Sequence, residues 1–271
     1  MKNKLLLVRL YTFFLSVGFN PQLFLLAIRG LVPYIKDLIA FIYMFRKSKS
    51  KDSLIITPCL SDRYMNAGLS SSIYFIQDLY CSTLIKKINA INHLDIGSRF
   101  DGFIAQVASS KKIDVIDIRP SANSPFDNLN FIQGDITQPP KEMINSYHLV
   151  SSLHALEHIG LGRYGDRLSI NGFKDGLKSC SKLVKEGGYL LISIPTTDKE
   201  NNIIEFNNQR VFSRNKVISE VLNNLENFRL QKFCIIDNRR VPIAVNSLEE
   251  SHKLILTFEE RGVSIFLLQK I

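Results

Sequence analysis

The stretch HLDIGSRFDG, residues 93–102, decides the fold class of this chain. A short apolar run surrounds Asp95, and glycines follow at Gly97 and Gly102. A buried strand that ends in a glycine turn is typical of nucleotide-binding α/β domains, in which that turn approaches the ligand. The stretch therefore predicts a cofactor site directly after a strand.

Three kinds of nucleotide loop can be compared with this stretch. A P-loop requires Lys and Ser or Thr after its second glycine, where this chain has Phe103 and Ile104, so a P-loop is excluded. The nicotinamide fingerprint requires a glycine at the position of Arg99, which weakens that interpretation but leaves it open. The S-adenosylmethionine loop has an acid, one residue and a glycine, as in Asp95 to Gly97, although Arg99 replaces its second glycine.

Apolar strands alternate with helical segments along the rest of the chain. The predicted strands are 93–98, 112–120, 129–137, 146–156, 189–195, 228–237 and 263–270, and the predicted helices include 70–88, 102–110 and 171–188. This alternation predicts an α/β fold over residues 54–271, with a Rossmann-like, mostly parallel seven-stranded sheet covered by helices on both faces. Ligands of such sheets bind beyond the carboxyl ends of the strands.

Acidic side chains recur at the ends of successive predicted strands. Asp117 closes the second strand and is predicted to accept the ribose hydroxyls of a cofactor, while Asp135 after the third strand is predicted to meet adenine. The predicted cofactor-binding residues are Asp95, Gly97, Ser98, Arg99, Asp117 and Asp135. The alternative, that the acids cap loops and form turns, stays open.

A second cluster, HALEHIGLGRYGD at residues 154–166, follows the fourth strand. His154, Glu157 and His158 match the zinc-peptidase spacing, but that site needs a long helix, which glycines at 160, 162 and 165 interrupt. We therefore predict no metal and interpret these three side chains as catalytic, because a neutral hydroxyl acceptor needs a nearby base. The alternative is that Glu157 and His158 are structural hydrogen-bonding groups.

Further polar residues are predicted to bind the substrate. The predicted substrate-binding set comprises Arg163, Tyr164 and Asp166 of the second cluster and Glu205, Asn207 and Arg210 of EFNNQRVFS, residues 205–213. The alternative for 205–213 is an ordinary polar loop that caps the following helix.

The N-terminal segment, residues 1–53, is both basic and apolar. It carries nine Lys or Arg and two Asp, so most of the chain's net charge of +9 lies here and a nucleic-acid-binding body is disfavoured. Asn20 and Pro21 predict a break between two helices, and a third is predicted to start near Val32 and Pro33. A packing cap, a membrane-surface arm that uses RKSKSK (46–51), and a membrane span all remain open.

The four widely spaced cysteines disfavour zinc knuckles and disulfides and suit the cytoplasm.

Four motifs in order carry a family resemblance. HLDIGSRFDGFIAQVAS, VIDIRP, SSLHALEHIGLGRYGD and EFNNQRVFS resemble the family called domain of unknown function 268, whose members are similar to class I S-adenosylmethionine-dependent methyltransferases. The resemblance covers roughly residues 60–271. It implies the methyltransferase fold and S-adenosylmethionine as cofactor, and the genes that surround relatives imply a sugar acceptor.

These observations predict an S-adenosylmethionine-dependent methyltransferase that O-methylates a sugar or surface-polysaccharide precursor. The predicted location is cytoplasmic, with peripheral contact at the inner face of the cell membrane through residues 1–53. The runner-up is an inactive methyltransferase-like scaffold at that membrane, and nicotinamide-linked sugar chemistry is a third hypothesis.

Overall fold

A ten-stranded sheet organises the C-terminal part of the chain in this computed structural model, which describes residues 2–48, 54–64, 72–88, 90–121 and 124–271. The strands are β1 His93–Ile96, β2 Ile113–Asp117, β3 Leu129–Gln133, β4 Tyr147–Leu153, β5 Val184–Thr197, β6 Ile203–Glu205, β7 Gln209–Ser213, β8 Phe228–Ile236, β9 Ile243–Val245 and β10 Arg261–Lys270. Their order is β3-β2-β1-β4-β5-β10-β8-β9, and β7 pairs with both β5 and β6.

The predicted Rossmann-like sheet is confirmed, although the number of strands is not seven. Strands β1 to β5 pair in parallel, whereas β10 is antiparallel to both β5 and β8. The three strands without a sequence prediction are β6, β7 and β9, which have only three to five residues each. None of the three forms an apolar run bounded by turn residues, the signal by which the similarly short β1, β2 and β3 are recognised in the sequence.

Strand β5 begins five residues earlier than predicted. The predicted helix 171–188 ends at Leu183, and Val184 already pairs with Tyr147 of β4. Gly187, with φ of +71°, lies where the pairing register shifts, so the double glycine bends a strand instead of ending a helix.

Helices cover both faces of the sheet, as predicted. The helices of the C-terminal part are α3 Ile73–Lys87, α4 Ala105–Ala108, α5 Gly172–Leu183, α6 Val217–Leu222 and α7 Leu248–Ile255. On β5, Leu190 and Ile192 pack in the core beneath α5, α6 and α7, while Leu191 packs in the core beneath α3 and α4. This alternation follows from the two-residue period of a strand. A π-helical turn, Phe100–Ile104, replaces the first part of the predicted helix 102–110.

The switch point of the sheet lies between β1 and β4. The chain adds β2 and β3 on one side of β1 and then crosses to build β4 and β5 on the other side. Because these strands are parallel, their carboxyl ends meet at one edge. The loops after β1, β2, β3 and β4 therefore surround a single cleft.

Residues Met1–Leu69 form a separate compact unit from Ser70–Ile271. It contains α1 Lys2–Ser16 and α2 Pro21–Ser48, and the predicted cap at Asn20 is confirmed because its Oδ1 accepts hydrogen bonds from the N–H groups of Gln22 and Leu23. The predicted third helix is wrong. Helix α2 continues through Pro33, since one proline removes a single donor and the helix is intact on both sides.

None of the helices that the structure describes combines the length and apolar character needed to cross a bilayer. Residues 49–51 of the predicted basic run and residues 70–71 of the predicted helix 70–88 lie outside the described residues.

A buried carboxyl group lies beneath the loop after β1. Asp95 is fully buried, and its oxygens accept hydrogen bonds from the backbone N–H of Ser98 at 3.0 Å, from the Ser98 hydroxyl at 3.0 Å and from the Ser151 hydroxyl at 2.5 Å. Burial raises the pKa of Asp95 to about 7, against the effect of these hydrogen bonds. Asp95 therefore holds the loop against β4 from below.

The pKa of Asp95 predicts a pH-dependent stability. The folded state retains this proton to about pH 7 and an unfolded Asp loses it near pH 3.9, so the contribution of Asp95 to stability falls as pH rises between these values. We expect Asp95→Asn to reduce the loss of unfolding free energy between pH 5 and pH 8 by about 2–3 kcal/mol. Urea unfolding at both pH values measures this difference, and Asp127→Asn, at an exposed position, serves as the control. Equal losses in wild type and Asp95→Asn would contradict the prediction.

Candidate active site

A cleft lies at the switch point of the sheet, where ligands of parallel α/β sheets bind. Its lining is mainly apolar with a few polar groups. The lining residues are Ile96, Gly97, Ile116, Asp117, Ile118, Arg119, Gly134, Asp135, Ile136, His154, Ala155, His158, Ile159, Tyr164 and Asp166. They lie at or after the ends of β1, β2, β3 and β4, and they include seven of the fifteen site residues predicted from sequence: Gly97, Asp117, Asp135, His154, His158, Tyr164 and Asp166.

Gly97 brings the first loop close to the loop after β4. Its φ is +69°, and a Cβ atom on it would lie 2.9 Å from the Cβ of Ala155. Both the backbone angle and this close approach require glycine. The buried Ser98 hydroxyl accepts a hydrogen bond from the N–H of Leu153 at 3.3 Å and fixes the same loop to β4.

Arg99 stands where the S-adenosylmethionine loop has its second glycine. Its φ of −72° and ψ of 139° are extended angles that any residue adopts. The side chain is 82% exposed and forms a forked ion pair with Asp101, at 2.9 and 2.6 Å. Arg99 therefore causes no backbone strain and points its charge to Asp101.

Asp117, at the end of β2, lies in the cleft with an arginine that the sequence analysis missed. Arg119 binds both carboxylate oxygens, Nε to Oδ1 at 3.0 Å and Nη2 to Oδ2 at 2.5 Å. The guanidinium carbon of Arg119 also lies 4.5 Å from the centre of the Tyr164 ring. This cation–π contact joins the loop after β2 to the loop after β4 across the mouth of the cleft.

Asp135, after β3, forms a turn with one oxygen. Its Oδ1 accepts hydrogen bonds from both the N–H and the hydroxyl of Thr137, each at 2.8 Å. Within the described parts of the chain, Oδ2 has no hydrogen-bond partner. Asp135 thus forms a turn through Oδ1, which was the alternative that the sequence left open. Its Oδ2 remains available beside the cleft.

His154 and Glu157 form a buried pair directly after β4. Imidazole Nδ1 lies 2.8 Å from Glu157 Oε1, and the two side chains are 10% and 0% exposed. Because the carboxylate accepts the Nδ1 proton, the lone pair of this imidazole is on Nε2, which is buried and has no partner among the described residues. His154 has φ of +53°, a strained angle that the surrounding loop maintains.

His158 has a different partner. Its Nδ1 donates to the backbone oxygen of Asn208, and its Nε2 lies 3.8 Å from Glu157 Oε1, beyond hydrogen-bonding distance. The ring meets the Tyr164 ring edge to face, with centres 5.6 Å apart. His158 is thus anchored through Nδ1, as His154 is, and its Nε2 takes no part in this anchoring.

The remaining residues of the second cluster divide into two kinds. Arg163 is exposed and binds Asn208 through Nη1, at 3.1 Å from Oδ1 and 3.5 Å from the backbone oxygen. Asp166 is committed to the backbone of its own loop, because its oxygens accept from the N–H groups of Gly160, Gly162 and Tyr164. In the part of the chain that is described, no three or more His, Cys, Asp or Glu side chains are arranged to hold a metal ion.

The hairpin β6–β7 packs against the loop after β4. Glu205 accepts from Arg261 at 2.8 Å and from Asn208 Nδ2 at 2.8 Å; burial opposes ionisation, but these contacts outweigh it and hold the pKa of Glu205 below its usual value. Asn207, with φ of +58°, is the turn residue of the hairpin. Arg210 is 6% exposed, and its guanidinium donates hydrogen bonds to backbone oxygens of the loop after β4.

Two more residues near the histidines escaped the sequence analysis. Asn208, next to the predicted Asn207, contacts His158, Arg163 and Glu205, and its only sequence signal is its place in the stretch EFNNQRVFS. Tyr74 of α3 packs edge to face on His154, with ring centres 5.0 Å apart. Burial and then the charge of Glu157 raise the pKa of Tyr74.

Solved structures share this fold. The methyltransferase domain of bacterial CtHen1-C is 10% identical in sequence and matches with a TM-score of 0.50 over 73% of this chain and 99% of that chain. The N-methyltransferase NodS from Bradyrhizobium japonicum WM9, solved with S-adenosyl-L-homocysteine, is 13% identical, with a TM-score of 0.44 over 72% of this chain and 84% of that chain. At 10% identity the likeness to the CtHen1-C domain concerns the fold alone, which is the Rossmann-like α/β fold of a methyltransferase domain.

Sequence families give the closer assignment. No curated protein matches the chain. Residues 104–262, more than half of the chain, match the family described as Caenorhabditis protein of unknown function, DUF268. These residues extend from the helix after the glycine loop to the start of β10 and include the second cluster and the β6–β7 hairpin. The chain therefore belongs to the DUF268 family.

Proposed function

We propose that this chain is an S-adenosylmethionine-dependent methyltransferase that methylates a hydroxyl group of a sugar or surface-polysaccharide precursor. One observation carries the proposal: a cleft at the switch point has a carboxylate at the end of β2 and, directly after β4, an imidazole whose buried Nε2 has no partner among the described residues. The first group suits a nucleoside and the second suits proton removal from an acceptor. The class I methyltransferase fold supports the same reading.

The cleft residues fit the cofactor. The side chains of Ile118, Ile136 and Ile159 provide an apolar slot for adenine, with Oδ2 of Asp135 beside it. Asp117 would accept the ribose hydroxyls, for which Arg119 must yield part of its contact with the carboxylate. Gly97 allows close approach, while Asp95 and Ser98 shape the loop from below and Arg99 borders it outside.

S-adenosylmethionine supplies an electrophilic methyl group when bound. The protein then has to align the acceptor oxygen and remove its proton. His154 Nε2 would take this proton, because Nδ1 is held by Glu157, which also stabilises the positive charge that the ring gains. Glu157 is thus a positioning residue, since it is fully buried and contacts His154 rather than the cleft.

Acceptor residues surround this base. His158 and Tyr164 line the cleft, Arg163 lies at its mouth, and Asn208 connects His158 with Arg163. Asp166, Arg210, Glu205 and Asn207 would act on the acceptor indirectly, by holding the loop after β4 and the β6–β7 hairpin. This assignment keeps the predicted residues in the site and gives these four a positioning role.

Cofactor binding provides the first test. We expect wild-type protein to bind S-adenosylhomocysteine in isothermal titration calorimetry and Asp117→Asn to bind it about 10- to 100-fold more weakly, because a hydrogen bond to a charged group contributes about 1.5–3 kcal/mol. Asp127→Asn, an exposed carboxylate outside the cleft, is the matched control and should bind like wild type.

The same titration separates the competing functions. Binding of NADH or NADPH in place of S-adenosylhomocysteine would contradict the proposal in favour of nicotinamide chemistry. A wild-type protein that binds none of these compounds would instead support the runner-up, an inactive scaffold with a methyltransferase fold.

The N-terminal unit carries a second part of the proposal, peripheral binding to an anionic membrane surface. Helix α2 exposes an apolar stripe with helical spacing, consisting of Leu25, Ile28, Val32, Ile35, Ile39 and Tyr43, each 47–74% exposed. Arg29 and Lys36 are spaced four residues after two members of the stripe, and Arg46 and Lys47 follow in the last turn. An apolar stripe flanked by cations suits the boundary between acyl chains and anionic headgroups.

Vesicle flotation tests the membrane contact. We expect the full chain to float with vesicles that contain phosphatidylglycerol and the double substitution Leu25→Asp with Val32→Asp to reduce the floated fraction about tenfold or more, because it removes apolar burial from the stripe. Leu168→Asp, at a similarly exposed apolar residue of the C-terminal unit, should float like wild type. Equal flotation of all three proteins would contradict the membrane contact and favour a packing role for α2.

A further inference from the structure

Arg163 lies at the mouth of the cleft beside Tyr164, and it differs from the neighbouring arginines in its partners. Arg99 and Arg119, the other arginines at this mouth, are paired with Asp101 and Asp117 at 2.6 and 2.5 Å. Among the described residues, Arg163 has no carboxylate within 4.0 Å, and its contacts are the amide and backbone oxygens of Asn208 and the ring of Tyr164 at 5.2 Å. Its position is fixed, but its charge is not neutralised.

Neutral atoms hold this cation in place. Asn208 Nδ2 donates to Glu205 at 2.8 Å, which turns Asn208 Oδ1 toward Arg163. Glu205 itself is neutralised by Arg261 at 2.8 Å, so the nearest carboxylate of this chain of contacts is already paired. An amide between the two charges orients the guanidinium without cancelling it, and the remaining donors of the fork can bind a ligand.

Arg163 is also next to the catalytic histidines. The backbone oxygen of Asn208 accepts from both His158 Nδ1 and Arg163 Nη1, so the two side chains meet at one atom. The charge of Arg163 acts on Tyr74, whose ring packs on His154. Arg163 is thus connected to His158 through Asn208 and to His154 through Tyr74.

We propose that the acceptor is an anionic hydroxyl compound, in which a phosphate or carboxylate group binds Arg163 while the hydroxyl group faces His154. The inference rests on the proposed function and narrows its substrate class from sugars in general to acidic or phosphorylated sugars. Guanidinium groups bind both phosphate and carboxylate groups through two parallel hydrogen bonds. The feature that the two anions share is a pair of adjacent, negatively charged oxygens. A neutral sugar would leave the charge of Arg163 unmatched.

The test measures binding of matched probes to the full chain. Glucose 6-phosphate, glucuronate and glucose are titrated in the presence and absence of S-adenosylhomocysteine, and the arginine Nε–H signals are followed by ¹H–¹⁵N NMR. We expect both anionic probes to shift the Arg163 signal and to bind about tenfold or more tightly than glucose, with weaker binding at higher salt. The phosphate and carboxylate arms then identify which anion is preferred.

Three variants make the assignment specific. Arg163→Gln should abolish the preference for the anionic probes, Arg163→Lys should retain part of it because the charge remains without the fork, and Arg167→Gln, an exposed arginine in the same loop, should retain all of it. Neither anionic probe binding more tightly than glucose, or a preference unchanged in Arg163→Gln, would overturn the inference. Normal S-adenosylhomocysteine binding in that case would leave the proposed function intact, whereas anion binding without S-adenosylhomocysteine binding would overturn only the methyltransferase assignment.

Discussion

The acceptor side of the cleft depends on one buried guanidinium, that of Arg210. It donates to the backbone oxygens of Glu157 at 3.3 Å, Ile159 at 2.5 Å, Ser169 at 2.9 Å and Ile170 at 3.2 Å. Burial lowers the pKa of Arg210, and the four oxygens replace the water that this cation has lost. Since Arg210 lies on β7, it joins the hairpin that carries Asn208 to the loop that carries both histidines.

The loop after β4 needs such an anchor because its backbone is costly to hold. His154 has a left-handed φ, as do Gly160, Gly162 and Gly165. A Cβ atom on Gly160 would lie 2.2 Å from the backbone oxygen of Ser169, so the loop folds back closely on itself. Asp166 secures the inside of this fold through three backbone N–H groups, and Arg210 secures the outside through four oxygens. Strain held by such contacts is typical of functional sites, and here it orients His154.

The sequence predicted the cofactor side of the site better than the acceptor side. Asp117 and Gly97 follow strands whose apolar runs are visible in the sequence, so their meeting at the sheet edge follows from the parallel fold. Asn208, in contrast, contacts His158 fifty residues earlier, and the pairing of β7 with β5 and the contacts of Arg210 bring them together. Helix α2 shows the same limit of prediction from local sequence. Pro33 is a strong local signal for a new helix, but the helix continues through it with intact turns on both sides.

Gly97 and Arg99, the two positions at which the S-adenosylmethionine loop has glycine, differ in their backbone angles and in the space around them. Gly97 has a positive φ and no space for a Cβ atom, whereas Arg99 has extended backbone angles and an exposed side chain. Only the first position therefore imposes glycine, and the substitution at the second leaves the path of the loop unchanged. Arg99 instead adds a paired cation to a mouth that already contains Arg119 and Arg163. Because Arg99 is paired with Asp101, the departure from the usual loop alters neither the path of the loop nor the net charge of this pair, and Arg163 remains the cation without a carboxylate partner among the described residues.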